Sequence, residues 1–154
     1  MKRAGADGSR KPSRPPEIVV LSREDAEEYE PHGREICISI FDPAAEPAGV
    51  SPRFASVLRL SFDDMIEMGE PTDILFAPDH AIAITRFVDA WPRVDRIVIH
   101  CNMGVSRSPG VALGLCDLHG WATAELERSH PGWNRLVRTV MRESAASATG
   151  RSQI

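Results

Sequence analysis

Residues 96–118 leave this chain little freedom in how it folds. Arg96-Ile97-Val98-Ile99 is a short apolar, β-branched run of the kind that forms a buried strand. It continues at once as His100-Cys101-Asn102-Met103-Gly104-Val105-Ser106-Arg107-Ser108-Pro109-Gly110. Beyond that, Val111, Leu115 and Leu118 recur at helical spacing, with Leu113 and Cys116 apolar on the flanks. Pro109 falls in the first turn of this helix, where its missing N–H would have been unpaired anyway. The order is strand, tight loop, helix N-terminus. It places Cys101 at the top of a strand, with Arg107 six positions further on.

That order has a chemical meaning. A loop wrapping toward a helix N-terminus aims several backbone N–H groups at one point, and the helix dipole adds partial positive charge there. A dianionic phosphate fits such a cradle, and Arg107 closes it through a two-pronged contact to two phosphate oxygens. The same field favours the thiolate, the form of a cysteine that attacks. Gly104 allows the sharp turn and the close approach of backbone. Ser108 is placed to donate its hydroxyl to the sulfur and help it leave when a thiophosphate is hydrolysed.

His-Cys-x5-Arg-Ser, with Gly104 and Ser106 inside the loop, resembles the signature of the cysteine-dependent protein tyrosine phosphatases, in the HCxxGxSRS form closest to their dual-specificity branch. Neither other cysteine has an arginine six residues on: Pro43 follows Cys37 and Ala122 follows Cys116 at that distance. The resemblance implies that Cys101 is the nucleophile, Arg107 the phosphate binder, Ser108 the assistant of the leaving sulfur and His100 a residue that orients the loop. Asn102, Met103, Gly104, Val105 and Ser106 form the phosphate-binding loop between Cys101 and Arg107. It implies no cofactor and no metal, a phosphorylated protein or small phosphate ester as substrate, and phosphate, sulfate or vanadate as inhibitory oxyanions at the loop. The frequent Ala, Arg and Pro fit a bacterial member from a GC-rich genome.

The rest of the chain is read around that loop. Its 154 residues make one domain, large enough for a core without staples. Three cysteines, an odd number, fit no disulfide framework and point to a reducing cytoplasm. No apolar run is long enough for a signal peptide or a membrane span. Residues 1–16 hold Lys2, Arg3, Arg10, Lys11 and Arg14 against Asp7, and read as a disordered basic tail. The whole chain carries −4 and this segment +4, which leaves −8 for the remainder and argues against a nucleic-acid partner. A monomer is expected.

Ile18-Val19-Val20-Leu21 reads as a first strand, followed by a short helix that Ser22 and Asp25 open as a capping box. Ile36, Ile38 and Ile40 alternate with Cys37 and Ser39 in a second strand, and Leu58, Leu60 and Phe62 mark a third. Residues 42–52 between them read as a loop. A helix carrying Ile84, Phe87, Val88 and Trp91 follows, ending before Pro92. Gly120 closes the helix after the cysteine loop, and two more helices are expected at 124–129 and 134–143, with residues 144–154 frayed. Strands alternating with helices make an α/β fold, a single domain at 17–143 with a mostly parallel central sheet flanked by helices, as in the dual-specificity phosphatases. In such a sheet, ligands sit outside the carboxyl ends of the strands.

A cysteine attack that expels an alkoxide or phenolate needs a proton donor, and one carboxylic acid can serve both halves of the reaction. The resemblance puts this acid in a loop after a strand, some thirty-odd residues before the cysteine. Asp64 is the favoured residue, with Asp63 beside it and Asp73 further along the same irregular stretch as alternatives; Asp79, in the first turn of the next helix, complements its dipole. The activity implied is hydrolysis of phosphotyrosine, and of phosphoserine or phosphothreonine, through a cysteinyl-phosphate intermediate. No lysine stands among residues 102–106, so the extra positive charge suited to a highly phosphorylated inositol headgroup is missing. Three rival readings use the same residues: a phosphoprotein-binding module without turnover, a rhodanese-type sulfurtransferase, and a zinc site drawn from Cys116, His119, His100 and Cys101.

Overall fold

The computed structural model describes residues 14–152, so residues 1–13 of the expected basic tail lie outside the described part. Four strands form one sheet: β1 (Glu17–Leu21), β2 (Glu35–Phe41), β3 (Ser56–Ser61) and β4 (Arg96–His100). Their order across the sheet is β1-β4-β2-β3 and every pairing is parallel. The cysteine-bearing strand β4 therefore runs inside the sheet, between β1 and β2. Its register sets Val20, Ile99, Ile38 and Leu58 abreast.

Alternation along the strands builds two cores. On one face Ile36, Ile38, Ile40, Ile97 and Ile99 meet three helices: α2 (Pro78–Asp89), α3 (Arg107–His119) and α5 (Arg135–Ser152). Ile84 and Val88 of α2, Val111 and Leu115 of α3, and Val137 and Met141 of α5 are the buried positions that fill this layer. On the other face Cys37 and Val98 pack with Phe54 and, at the edge, Tyr29 and Val50. Tyr29 is the C-cap of the short helix α1 (Arg23–Glu28), and its ring stacks on Phe54 at 5.9 Å. Ser22 Oγ accepts from Asp25 N–H at 3.1 Å, as the capping pattern predicts.

Helix α4 spans Ala124–Ser129, and α3 ends on Gly120 in the left-handed conformation. Helix α5 continues to Ser152, past the point where fraying was expected from residue 144. This end carries Ala145, Ala146 and Ala148 but no apolar stripe, so periodicity is silent there while alanine still favours helix. Arg138 of α5 forks onto Asp117 of α3 at 2.7 and 3.0 Å, and that guanidinium holds the Asp117 carboxyl below its ordinary range. Among the described residues no helix is long and apolar enough to cross a membrane.

Because all four strands are parallel, their carboxyl ends lie along one edge. Leu21, Phe41, Ser61 and His100 close the strands there, so Ser22, Asp42, Phe62 and Cys101 are the residues that emerge.

Candidate active site

Cys101 follows β4 directly and is buried. Three polar groups surround its sulfur: the Ser108 hydroxyl oxygen at 3.1 Å, and two donors, Gly104 N–H at 3.3 Å and Ser108 N–H at 3.4 Å. Polar groups converge on a sulfur in this way where negative charge is to be held. The loop owes its curl to Gly104, whose φ is +74°. A Cβ at that position would stand 2.8 Å from the backbone of Leu21 and Ser22, so a side chain would lift the loop off the end of β1. Arg23 N–H donates to Asn102 C=O at 3.0 Å and ties the other side of the loop to the start of α1.

His100 is fully buried beneath the loop. Its Nδ1 lies 3.2 Å from Cys101 C=O and its Nε2 2.6 Å from Ser39 Oγ. A carbonyl only accepts, so Nδ1 carries the proton and Nε2 accepts from the Ser39 hydroxyl. Burial lowers the pKa of this imidazole, which keeps it neutral and suited to both bonds. The ring thereby fixes the peptide that carries Cys101.

Arg107 opens α3 and is buried with its charge. Its Nη1 donates to Asp42 Oδ1 at 2.7 Å and to Phe62 C=O at 2.9 Å. Its Nε is the buried side-chain polar atom without a partner among the described residues. A guanidinium held by one prong, with a second donor unspent beside the loop, is ready for an oxyanion. An unmet buried donor of this kind is costly unless something meets it.

The irregular segment 62–77 crosses above this loop. It is closed at its ends by Asp63 N–H to Ile74 C=O at 2.7 Å, and by Ala77 N–H to His80 Nδ1 at 2.9 Å. Phe62 and Phe76 meet edge-on at 4.9 Å and root it in the core. The three candidate acids separate clearly within it. Asp63 Oδ2 accepts from Ile74 N–H at 2.8 Å, and Asp73 Oδ2 accepts from the N–H groups of Gly69 and Glu70 at 2.8 and 2.5 Å. Both hold the loop's own backbone. Asp64 instead reaches the cysteine loop, where its Oδ1 accepts from Ser106 Oγ at 2.7 Å, and it accepts also from Asn134 Nδ2 at 3.0 Å.

No family model matches the chain, and no curated protein does. Among solved structures, the crystal structure of Tk-PTP in the active form aligns over 84% of this chain and 92% of its own length, at 17% identity and a TM-score of 0.51. The fold is that of a protein tyrosine phosphatase. PTPMT1, in complex with PI(5)P and in a second crystal structure, aligns at 22% identity over 77% and 78% of this chain and 80% of its own, with TM-scores of 0.45 and 0.43.

On this phosphatase fold the structure gathers Cys101, Arg107, Ser108, His100 and Asp64 at one edge of the sheet. Two further residues join them that the sequence reading did not single out. Asp42, the first residue after β2, orients Arg107. Asn134, buried just before α5, donates to Asp64 and to Met65 C=O, accepts from Val137 N–H at 3.0 Å, and sends its own N–H to Ser106 C=O at 2.9 Å. Its place next to α3 depends on Gly110, where a Cβ would stand 2.9 Å from Asn134 C=O. The only sequence signal for Asn134 is its type, since asparagine is a favoured N-cap before a helix.

The other thiols behave differently. Burial pushes Cys37 up to about 12 and Cys116 up to about 11, so both stay protonated and unreactive as core residues. His119 Nδ1 meets Leu115 C=O at 3.0 Å, and among the described residues no group of three His, Cys, Asp or Glu side chains comes together as a metal site requires. The residues of the zinc reading are spread along α3 and β4 rather than gathered.

Proposed function

We propose that the chain is a phosphatase that hydrolyses phosphate monoesters through a cysteinyl-phosphate intermediate, with phosphotyrosine and phosphoserine or phosphothreonine as its substrate class. The observation that carries this reading is the sulfur of Cys101 held by two backbone N–H donors and the Ser108 hydroxyl, with the unspent Nε of Arg107 buried beside the same loop. The phosphoryl group enters the loop with its oxygens on the loop N–H groups and on Arg107. The thiolate attacks phosphorus, forming the S–P bond while the ester P–O bond breaks, and Asp64 gives its proton to the departing oxygen. A water then passes a proton back to the Asp64 carboxylate and attacks phosphorus. The P–S bond breaks, inorganic phosphate leaves, and the Ser108 hydroxyl donates to the returning thiolate.

Turnover of p-nitrophenyl phosphate tests this. The wild type is expected to release phosphate with EDTA present, to be inhibited competitively by vanadate, and to lose all activity on Cys101→Ser. Activity that survives Cys101→Ser, or that disappears on chelation alone, contradicts the reading.

A further inference from the structure

The large hydrophobic side chains exposed among the described residues all lie in the two loops that bracket the site. Ile66 (54% exposed), Met68 (57%) and Ile74 (42%) belong to the 62–77 loop; Met103 (70%) and Val105 (53%) belong to the phosphate loop. Singly scattered apolar side chains are ordinary on a protein surface, whereas a concentration at one edge marks a surface that meets something. A groove of about 500 Å³ opens beside them, and Asp64 and Ser106 themselves form part of its wall. Ile66 and Glu67 line it from the 62–77 loop, Pro131 and Trp133 from the turn before α5, and Arg135 from the first position of α5. Whatever is esterified to a phosphate bound at Cys101 must leave past Asp64, and so passes along this groove.

The charge around the groove narrows what that group can be. Glu67 and Glu70 are exposed on the acid loop, in a domain whose residues beyond the first sixteen carry −8. Arg135 is the one basic residue lining the groove. An anionic bilayer surface or a headgroup with further phosphates would meet these carboxylates and be repelled. A polypeptide offers the complementary combination, an apolar side chain for Ile66 and Trp133 with basic residues nearby for Glu67 and Glu70.

We infer that the groove is a specificity subsite for phosphorylated polypeptides whose residues flanking the phosphorylated one are apolar and basic. This rests on the phosphatase reading above, and the test keeps the two apart. Wild-type enzyme is assayed on p-nitrophenyl phosphate, on two phosphotyrosine peptides that differ only in Leu/Arg against Asp/Glu flanks, and on a micellar phosphoinositide. The Leu/Arg peptide is expected to exceed the others in kcat/KM, by about tenfold over the acidic peptide. Ile66→Glu should lower kcat/KM for the Leu/Arg peptide by about tenfold while leaving p-nitrophenyl phosphate unchanged, because the side chain is exposed and touches no catalytic group. Glu67→Lys should bring the acidic peptide level with the basic one. Equal rates on the two peptides, or a preference for the phosphoinositide, with p-nitrophenyl phosphate still turned over, overturn the subsite alone. No turnover of p-nitrophenyl phosphate overturns the phosphatase reading, and the subsite falls with it.

Discussion

The loop around Cys101 and the loop around Asp64 face each other across one site, yet they are held by different means. In the cysteine loop, Cys101 itself is held by near neighbours in the chain: His100, Gly104 and Ser108 all act on it from within seven positions, while Arg23 and Asn134 tie the loop's two sides from afar. Its curvature follows from one glycine at φ +74° pressed on the end of β1. In the loop around Asp64, Asp63 and Asp73 tie the loop's own backbone, but nothing local holds Asp64 itself. The loop's closing bonds link Asp63 to Ile74, and its catalytic candidate is held by Ser106 and Asn134, which lie 42 and 70 positions away. The contrast suits the chemistry. A phosphate must find its donors already in place, whereas a proton donor only has to reach the leaving oxygen when the bond breaks.

The largest expected effect belongs to the cysteine loop. Arg107→Lys keeps the charge but loses the planar fork, and with it the Nη1 contacts to Asp42 and Phe62. It should lower kcat/KM for every substrate by about 10²–10³-fold, the scale of a lost oxyanion donor. A lysine variant retaining most of its kcat/KM would show that charge alone suffices there.

A selective effect follows on the acid loop. Asp64→Asn should cut kcat/KM for phenyl phosphate by about 10²–10⁴-fold and that for p-nitrophenyl phosphate far less, since kcat/KM reports the first step and p-nitrophenolate departs without a proton. Asp63→Asn and Asp73→Asn, whose carboxylates serve backbone N–H groups, should show no such dependence on the leaving group. If one of them does and Asp64→Asn does not, the acid has been placed at the wrong residue.

Asn134 joins the two regions, so Asn134→Ala sharpens the comparison. Loss of its bond to Val137 N–H removes a helix cap, a cost of about 1 kcal/mol read as a lower Tm. Loss of its bond to Asp64 should reproduce a weaker form of the same leaving-group dependence. A drop in Tm without that dependence would make Asn134 a cap and nothing more.

The smallest effect is on stability. His100 has its pKa lowered by burial, so the unfolded chain takes up its proton before the folded one does. Its contribution to stability is complete above the ordinary imidazole value of about 6.5 and declines as pH falls below it. Thermal melts from pH 8 to pH 5 should show Tm decreasing on the acid side, and less steeply in His100→Gln. A slope unchanged by that substitution would place the titration elsewhere, for instance on His80 or His130, which burial lowers as well.

The same contrast decides what could be read from residues alone. Strand, cysteine loop and helix lie within one continuous stretch, and each residue type there has a local reason, so an inner strand of the sheet and the setting of Cys101 at its end were legible. The parallel sheet was legible too, because strand patterns alternate with helical ones along the chain. The acid could be narrowed only to Asp64, Asp63 or Asp73, since all three sit in a segment without periodicity and differ only in partners that folding brings from far along the chain or from within the loop, Ser106 for Asp64 and backbone N–H groups for the other two. Asp42 and Asn134 carried no distinguishing pattern. Asp42 looked like any loop acid after a strand, and it meets Arg107 only because β2 and β4 are neighbours in the sheet.

The central claim is that one region holds the phosphoryl group on Cys101 and the other moves protons through Asp64. Asp64→Asn separates the two steps when mixed with p-nitrophenyl phosphate, quenched in milliseconds and digested for mass spectrometry. The activated leaving group needs no acid in the first step, but the second step has lost its base. A burst of p-nitrophenolate is therefore predicted, with one phosphoryl group accumulating on the peptide that contains Cys101. A burst with the phosphoryl group on another residue, or steady turnover with none on Cys101, would contradict the account.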